Sequence, residues 1–339
     1  MMRRRALVTG ATGGLGRHLV SKLVNAGYIV RASGRNAHIG QSLLKPNVEF
    51  VSGDLNDEGL PSRLAADTDV VFHCAALSSP WGRKEDFVRS NITATQVLVD
   101  AALANRCTSF VHVSTPSIYF RYQDQLGIPE NAPLPGRFVN AYAETKAEAE
   151  TVVRRAGGAG LRATIIRPRG IFGEHDTVLI PRLLKVVRNG LMPVFNNGNA
   201  IVDVTYAGNV ADAMLLCDSA SAPSGTFNVT NGEPISVREL LVRVFSALEL
   251  EIRLKPTSHR VASAFAAALE AMCRVLNYKS EPKLLRYPIG LMTYSQTLDI
   301  TAARQRLGYV PAVSIDEGLI RFANWYRCNS NGGHKHEAA

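Results

Sequence analysis

The chain has 339 residues, of which 46% are hydrophobic and 20% are charged, a composition that predicts a globular protein with a large buried core. Its formal charge of +9 comes from basic residues dispersed along the chain, which excludes a recognisable nucleic-acid-binding module and favours small anionic ligands. Its five scattered cysteines show neither a disulfide framework nor metal-ligand spacing. We therefore expect no metal site and a reducing, cytoplasmic compartment.

The two ends of the chain are charged or polar. Residues 1–5 have the basic character of a signal-peptide start, but only three apolar residues follow before Thr9. This run is too short for the hydrophobic region of a secretory leader, so we expect no signal peptide. Residues 331–339 are expected to form a flexible tail.

The first functional signal is a glycine-rich turn. A short apolar strand over residues 6–8 enters a turn with three regularly spaced glycines, and a helical pattern follows that ends near residues 25–27. The first glycine permits a tight turn, the second lets the backbone approach a pyrophosphate, and the third lets the helix pack against the strand. The phosphates would lie on unpaired N–H groups at the helix start. This context favours a dinucleotide-binding turn over an ordinary loop. The candidate cofactor-binding residues are Gly10, Thr12, Gly13, Gly14, Leu15 and Gly16.

The end of the second predicted strand, over residues 28–32, bears on the choice of cofactor. Enzymes that use NAD usually place an acidic residue here, whereas this chain has Ser33 and Arg35. A carboxylate would repel a 2′-phosphate, but a small residue followed by an arginine can bind it. We therefore predict NADP, with NAD as the alternative. A solvated loop position for Arg35, and a shared role for Arg31, remain open.

A third strand over residues 48–51 and a fourth over residues 70–73 each end in residues suited to contact a bound cofactor. The candidates are Asp54 and Leu55, beside the adenine, and the turn residues Ala75, Ala76 and Leu77. The loop that follows lies at the carboxyl end of the sheet, where ligands bind in open α/β folds. Its Trp81 either lines the substrate site or covers the sheet.

A fifth strand over residues 110–114 delivers the hydroxyls of Ser114 and Thr115 to the same edge, followed by Phe120. A helix opened by Asn140 as N-cap carries Tyr142 and Lys146, which share one helical face because they are four residues apart. Such a pair is common by chance. Its position just after the hydroxyl cluster of a dinucleotide fold makes it the candidate catalytic pair.

A sixth strand over residues 163–167 leads to Pro168, a further candidate cofactor contact, and beyond it the strand–helix alternation loosens. The predicted fold is therefore α/β, a doubly wound parallel sheet with a smaller, mostly helical C-terminal domain. Residues 1–175 would bind the dinucleotide, with returns near 201–230, and residues 176–330 would bind mainly the substrate. Tyr206 is included among the substrate-contacting candidates.

An apolar stripe at helical spacing marks residues 261–276. It comprises Val261, Phe265, Leu269, Met272 and Leu276, and it is interrupted by Glu270 and Arg274. The stripe is too short and too broken to span a bilayer. We interpret it as a core or lid helix, with contact to a membrane surface as the alternative.

Taken together, the glycine turn, the Cys74-Ala75-Ala76-Leu77 turn, the run from Val113 to Tyr119 and the Tyr142–Lys146 pair resemble the extended short-chain dehydrogenase/reductase superfamily. Within it, the chain is most similar to the branch of 3β-hydroxysteroid dehydrogenases and bacterial 2-alkyl-3-oxoalkanoate reductases. The resemblance covers about 320 residues and implies a Rossmann fold.

The resemblance implies that Tyr142 is the acid/base, that Lys146 activates it and binds the ribose, and that Thr115 supplies the catalytic hydroxyl with Ser114 as its neighbour. A lysine about 4 Å away can supply the roughly 4 kcal/mol that lowers a tyrosine pKa from about 10 toward 7. The substrate side is assigned to Trp81, Thr115, Phe120 and Tyr206.

We therefore predict an NADP-dependent reductase or dehydrogenase acting on a fairly apolar ketone or secondary alcohol, such as a β-keto acid or steroid. Two alternatives remain: a sugar-nucleotide epimerase with tightly bound NAD, and a non-catalytic dinucleotide sensor. Pro116 and Ser117 disfavour a dehydratase, and Phe120 disfavours a sugar-nucleotide pocket. The superfamily also implies a homodimer.

Overall fold

The computed structural model describes residues 3–276, 278 and 280–331. Within this part of the chain, short strands alternate with helices along most of the sequence. The strands are β1 (Arg5–Thr9), β2 (Ile29–Gly34), β3 (Val48–Ser52), β4 (Val70–His73), β5 (Ser109–Val113), β6 (Gln125–Ile128), β7 (Arg162–Pro168), β8 (Ile171–Phe172), β9 (Leu191–Val194), β10 (Ile201–Val202), β11 (Thr205–Tyr206), β12 (Gly225–Val229), β13 (Ile235–Ser236), β14 (Arg253–Pro256) and β15 (Gln296–Leu298).

The helices vary from one turn to about five turns in length. They are α1 (Gly14–Asn25), α2 (Ala37–Gln41), α3 (Leu60–Ala65), α4 (Lys84–Phe87), α5 (Ala94–Ala104), α6 (Ala141–Gly158), α7 (Leu179–Val186), α8 (Ala207–Leu216), α9 (Val237–Ala247), α10 (His259–Val275), α11 (Arg286–Thr293), α12 (Thr301–Leu307) and α13 (Ile315–Asn331). A π-helical turn, Val88–Thr93, joins α4 to α5, and a 3₁₀ turn, Pro116–Tyr119, follows β5.

The central sheet is parallel throughout and has seven strands in the order β12-β7-β5-β4-β1-β2-β3. The chain runs outward from β1 through β2 and β3, then returns to β4 on the other side of β1. This reversal leaves a crevice at the carboxyl ends of β1 and β4, which is where such sheets bind dinucleotides. The predicted α/β doubly wound fold is confirmed.

Continuous apolar runs explain why these segments form buried strands. Leu7, Val8 and Phe72 have no accessible surface, because helices cover both faces of a parallel sheet and each strand face needs an apolar residue. Leu19 and Leu23, one turn apart on α1, are equally buried against the sheet. The core therefore fixes the position of the glycine turn between β1 and α1.

The chain returns to the central sheet after leaving it. Helix α8 packs beside α1, and β12 pairs with β7 at the sheet edge. Strand β10, within the same predicted return, instead joins a second sheet of order β13-β10-β15-β6. Strand β6 lies in the segment between β5 and α6, where the sequence predicted a proline-rich loop and no strand. The division near residue 175 remains a proposal.

Candidate active site

The glycine turn joins three segments of backbone at close quarters. A Cβ atom added to Gly10, which has φ +66°, would lie 2.7 Å from the backbone nitrogen of Ala75. A Cβ on Gly16 would lie 2.3 Å from the carbonyl oxygen of Gly10. Neither position tolerates a side chain, so the glycines are what allow the turns after β1 and β4 to meet the start of α1.

The start of α1 fits a pyrophosphate. Its N-cap, Gly13, provides no side-chain acceptor, and its first turn contains no acidic residue. The N–H groups of that turn are therefore available, and the helix dipole favours an anion there. Arg17 lies one turn further on and contacts His175 (Nη1 to Nδ1, 2.8 Å), and its Nε is buried with no acceptor among the described residues. The sequence analysis missed this arginine, although a basic residue one turn after the glycine turn was a signal.

The residues predicted to contact the adenosine end of the cofactor come from three strand ends. Ser33 is buried and Arg35 is exposed, and a Cβ on Gly34 would lie 2.7 Å from Thr12 Oγ1. Hydrogen bonding from Asn56 holds the pKa of Asp54 below its usual value, with a smaller contribution from the nearby Arg35 charge. Leu55 is buried beside them. The predicted contacts at this end therefore lie close together.

Arg31 does not reach this group. Its Nε donates to Glu49 Oε1 at 2.5 Å, and its Nη1 donates to the carbonyl oxygens of Leu64 and Ala66. These bonds hold the side chain against α3. The alternative in which Arg31 shares the phosphate-binding role is therefore not supported, and Arg35 alone extends from this strand end.

Asn91 links the turn after β4 to the catalytic helix. Its Oδ1 accepts from the Leu77 N–H at 2.7 Å, while its Nδ2 donates to the Leu77 carbonyl at 3.2 Å and to Thr145 Oγ1 at 3.1 Å. The side chain is buried and belongs to the π-helical turn, a feature common at functional sites. Sequence reasoning missed it.

Helix α6 presents Tyr142 and Lys146 as predicted. The helix begins at Ala141, with Asn140 Oδ1 accepting from the Ala143 N–H at 2.9 Å. Burial raises the pKa of Tyr142, and hydrogen bonding with the hydroxyls of Ser78 and Thr115 opposes that rise. The phenol and the Thr115 hydroxyl therefore converge, together with Ser78, which the sequence analysis did not assign.

A chain of hydroxyl groups extends from Thr115. Thr115 Oγ1 donates to Ser117 Oγ at 2.9 Å, and Ser117 Oγ lies 2.6 Å from the phenol oxygen of Tyr287 on α11. Thr115 also caps the 3₁₀ turn by accepting from the Ser117 N–H. Its rotamer is consequently fixed beside Tyr142. Tyr287 is a second residue that sequence reasoning missed, because it lies 145 positions beyond Tyr142.

Lys146 is held differently from the expectation. Its ammonium donates to the Val113 carbonyl at 2.6 Å and to His112 Nε2 at 2.9 Å, deep beneath β5. Burial lowers the pKa of Lys146 to about 8. The pKa of Tyr142 is raised, not lowered as expected, because burial dominates and the ammonium is directed toward His112 and Val113.

Ser114 is not brought to Tyr142. Its hydroxyl donates to Glu150 Oε1 at 2.6 Å. Glu150 is also paired with Arg167, whose Nη2 lies 2.6 Å from Oε2. This buried network lies behind β5 and β7, so the geometry gives Ser114 a structural contact and leaves Thr115 as the hydroxyl beside the phenol.

The candidate substrate residues separate into two groups. Phe120 packs edge-on against Tyr122 and Tyr287, with ring centroids 5.3 and 5.2 Å apart. Trp81 lies under the guanidinium of Arg274 on α10, 5.6 Å from its ring centroid. The contact between Phe120 and Tyr287 places aromatic surface next to the hydroxyl chain. Pro168 ends β7 at the same sheet edge, paired with Val229.

Tyr206 lies elsewhere. Its phenol donates to Glu174 Oε2 at 2.8 Å, and its ring packs against Phe172 and the imidazole of His18 on α1. The structure therefore does not bring Tyr206 to Tyr142.

The apolar stripe of α10 faces outward. Val261, Phe265 and Met272 are 69%, 64% and 52% exposed, and Leu276, just after the helix, is 69% exposed. The core interpretation of this stripe is therefore wrong. Its buried side is narrow, consisting of Ala266 and Cys273. Among the described residues, no helix combines the length and hydropathy needed to cross a membrane.

Comparison with known proteins agrees with this geometry. Residues 6–230 match the sequence profile of the NAD dependent epimerase/dehydratase family. The chain is 36% identical over 332 residues to the uncharacterized protein YbjS of Escherichia coli (strain K12), covering 95% of this chain and 98% of that protein. It is 34% identical over 325 residues to a 2-alkyl-3-oxoalkanoate reductase of Stenotrophomonas maltophilia (strain K279a), covering 94% and 98%.

Two further similarities are more distant. A sterol-4-alpha-carboxylate 3-dehydrogenase, decarboxylating, of Mus musculus is 28% identical over 329 residues, covering 94% of this chain and 90% of that protein. Among solved structures, MoeE5 in complex with UDP-glucuronic acid and NAD superposes with a TM-score of 0.75 at 25% identity, covering 96% and 99% of the two chains. The chain therefore belongs to the NAD-dependent epimerase/dehydratase family, within the extended short-chain dehydrogenases/reductases, and is an NAD-dependent enzyme of that family.

Proposed function

We propose that the protein is an NADP(H)-dependent oxidoreductase that interconverts a ketone and a secondary alcohol on a fairly apolar substrate, with Tyr142 as the acid/base. The observation that carries the proposal is the half-buried Tyr142 in the first turn of α6, whose phenol interacts with the hydroxyls of Ser78 and Thr115. A phenol with its ordinary pKa of about 10 or above is protonated at neutral pH. It can therefore donate a proton to a carbonyl oxygen.

A nicotinamide cofactor held at the glycine turn would supply or accept the hydride at the carbonyl carbon. As negative charge develops on the carbonyl oxygen, the Tyr142 O–H donates its proton to that oxygen. Thr115, held by Ser117, fixes the phenol at the correct angle. With a pKa of about 8, Lys146 carries a positive charge at neutral pH and contributes favourable potential to the same region. Ser114 supports β5 through Glu150.

The preference for NADP rests on the end of β2. It offers the Ser33 hydroxyl and the exposed Arg35 guanidinium, and no carboxylate stands there to repel a 2′-phosphate. Gly10, Thr12, Gly13, Gly14, Leu15 and Gly16 would hold the pyrophosphate, and Ala75, Ala76, Leu77 and Pro168 would line the nicotinamide. NAD remains the alternative to NADP.

The apolar character of the substrate rests on the aromatic side chains around the hydroxyl chain. Phe120, Tyr122 and Tyr287 pack together, and Trp81 lies nearby in the loop after β4. The names of two relatives describe acids with an oxygen function one carbon removed from the carboxylate, namely 2-alkyl-3-oxoalkanoates and sterol-4-carboxylates. We therefore favour a β-keto acid or steroid-like substrate.

The test is oxidation of NADPH by the purified protein with 2-alkyl-3-oxoalkanoates, 3-ketosteroids and UDP-sugars as substrates. Turnover with either of the first two classes is expected. The alternative is a sugar-nucleotide epimerase, favoured by the similarity to MoeE5. Mass spectrometry of the cofactor retained on purification separates the two, because tightly bound NAD with UDP-sugar interconversion and no net redox turnover would contradict our proposal.

The proposal includes the setting in which the enzyme works. We place it in the cytoplasm, because all five cysteines are free thiols and a reducing compartment keeps them so. We propose a homodimer on the similarity to the superfamily alone. The exposed stripe of α10 is flanked by exposed Arg260, Arg274, Lys283 and Arg286. Apolar residues with a basic border favour weak contact with an anionic membrane surface.

A further inference from the structure

Arg169 is a buried cation whose Nε has no acceptor in the part of the chain that the structure describes. It follows the end of β7, where its N–H donates to the Val229 carbonyl at 3.2 Å and its carbonyl accepts from Thr205 Oγ1 at 2.6 Å. These bonds fix the backbone, and the residue is only 8% exposed. Its Nε is sealed from solvent and has no hydrogen-bond partner among the described residues. Burial lowers the pKa of this guanidinium, which reflects the cost of keeping the charge there.

Arg167, two residues earlier on β7, shows how the same strand satisfies a buried guanidinium. Its Nε and Nη2 donate to Glu150 at 2.8 and 2.6 Å, and its Nη1 donates to the Glu130 carbonyl at 2.9 Å. Within the part of the chain that the structure describes, Arg169 has no such carboxylate partner. A buried charge is costly unless it is paired. The contrast indicates that the acceptor of Arg169 comes from a ligand.

The surroundings of Arg169 indicate which ligand would supply this acceptor. The nearby phenol of Tyr287 and carboxyl of Asp203 act electrostatically on the guanidinium. Tyr287 is the end of the hydroxyl chain that leads through Ser117 to Thr115 and Tyr142. Asp203 is engaged instead with the Leu298 N–H, at 2.7 Å from its Oδ2. The neighbouring Gly170 lies against the backbone of Asp203, and Arg169 lies near Tyr287, at the end of the hydroxyl chain that leads to Tyr142.

We infer that Arg169 binds a carboxylate of the substrate, so that the enzyme selects ketones carrying a carboxylate close to the carbonyl carbon, as in a β-keto acid. The inference rests on the proposed function. A guanidinium presents two parallel N–H donors that match the two oxygens of a carboxylate. With that group anchored, the ketone oxygen is directed toward Tyr142. In the balanced reaction, NADPH would supply the hydride to the carbonyl carbon and become NADP⁺, Tyr142 would donate the proton to the oxygen and regain one from solvent, and the carboxylate would be unchanged.

The test compares a 2-alkyl-3-oxoalkanoate with its methyl ester, which keeps the ketone and removes the charge. Wild-type enzyme is expected to reduce the acid with a kcat/KM about 10- to 150-fold higher than that for the ester, the range for hydrogen bonds to a charged group. Arg169→Met is expected to lose that preference by lowering activity on the acid alone. Arg169→Lys should restore part of it. An unchanged acid-to-ester ratio, or equal losses on both substrates, would overturn the inference.

A binding measurement separates this inference from the proposed function. The 2-alkyl-3-hydroxyalkanoate and its methyl ester, added without cofactor, cannot react. The acid should raise the Tm of the wild-type protein. The ester should not raise the Tm of the wild-type protein, and the acid should not raise the Tm of the Arg169→Met variant. If the acid raises the Tm but the enzyme shows no NADPH oxidation in the turnover assay, the proposed function is refuted and Arg169 is kept as a carboxylate site. If the acid does not raise the Tm, the Arg169 inference is overturned.

Stability provides a further check. Arg169→Met removes an unpaired buried charge, so the Tm of the ligand-free protein should stay the same or increase. Arg167→Met, the matched control, removes a paired charge and should lower the Tm. A clear decrease in Tm for Arg169→Met would show that the guanidinium has a structural partner and would contradict the inference.

Discussion

Glu150→Gln tests the buried network that supports the candidate active site. The Glu150 carboxylate, whose side chain is 1% exposed, accepts from Arg167 Nε and Nη2 at 2.8 and 2.6 Å and from Ser114 Oγ at 2.6 Å. Glutamine keeps the shape and one acceptor oxygen but removes the charge. The Arg167 side chain, 3% exposed, would then be buried without a counter-ion.

The expected loss follows from that geometry. Breaking a buried ion pair by neutralising one partner costs about 3–5 kcal/mol of unfolding free energy. Because Arg167 also donates to the Tyr119 hydroxyl and the Glu130 carbonyl, two neutral acceptors remain. We therefore expect about 3 kcal/mol, at the lower end of that range.

Urea unfolding at pH 7 measures this difference. Glu148→Gln is the matched control, because Glu148 is exposed on the same helix and its replacement should change stability by less than about 0.5 kcal/mol. A loss below about 1 kcal/mol for Glu150→Gln, close to what an exposed ion pair is worth, would refute the reasoning.

The same substitution should alter the acid dependence of stability. Burial tends to raise the pKa of Glu150, but the hydrogen bonds and charge of Arg167 outweigh it, so the folded-state pKa is lowered. The stabilisation is therefore complete above the unfolded pKa of about 4.3 and is lost as pH falls through the lower folded value. The free-energy difference between wild type and variant should be largest near neutrality and should shrink below about pH 4.

Three further outcomes are expected. Tyr142→Phe should lower kcat for ketone reduction about 10²- to 10⁴-fold by removing the proton donor, while NADP still raises the Tm; unchanged turnover would support the non-catalytic sensor. Arg35→Ala should raise KM for NADPH about 10- to 100-fold and leave KM for NADH unaltered; equal effects on both would exclude a 2′-phosphate contact. Replacing Phe265 and Met272 by serine should abolish co-sedimentation with phosphatidylserine vesicles, whereas Val242→Ser on α9, also 52% exposed, should not. The membrane contact would be contradicted if the double variant still bound vesicles. It would also be contradicted if the double change disrupted a dimer and not vesicle binding.

The glycine turn and the six strands of the dinucleotide fold could be predicted because their determinants are local. Gly10 and Gly16 show their role through their spacing between a short apolar strand and a helical pattern, and buried parallel strands appear as continuous apolar runs. Tyr142 and Thr115 were found because each lies next to one of these elements. The convergence of the two could then be expected from the meeting of parallel strand ends at one edge of the sheet.

The remaining features depend on contacts between distant parts of the chain. Tyr287 and Arg169 acquire their positions only when α11 and β7 meet the hydroxyl chain, and no nearby residue signals this. The direction of the Lys146 ammonium depends on His112, on another element. In α10 the periodicity identified one apolar face, but periodicity does not indicate whether such a face meets protein or water.

The pairing of β6 with β15 and of β12 with β7 has a consequence for any attempt to divide the protein. A fragment covering residues 1–175 would carry β6 without its neighbour and would leave the edge of β7 open to other chains. The complementary fragment would contain β12 with no sheet to join. Strands from the two halves of the chain pair with each other, so the halves should unfold together. Denaturation monitored by fluorescence and by circular dichroism should therefore follow a single coincident curve.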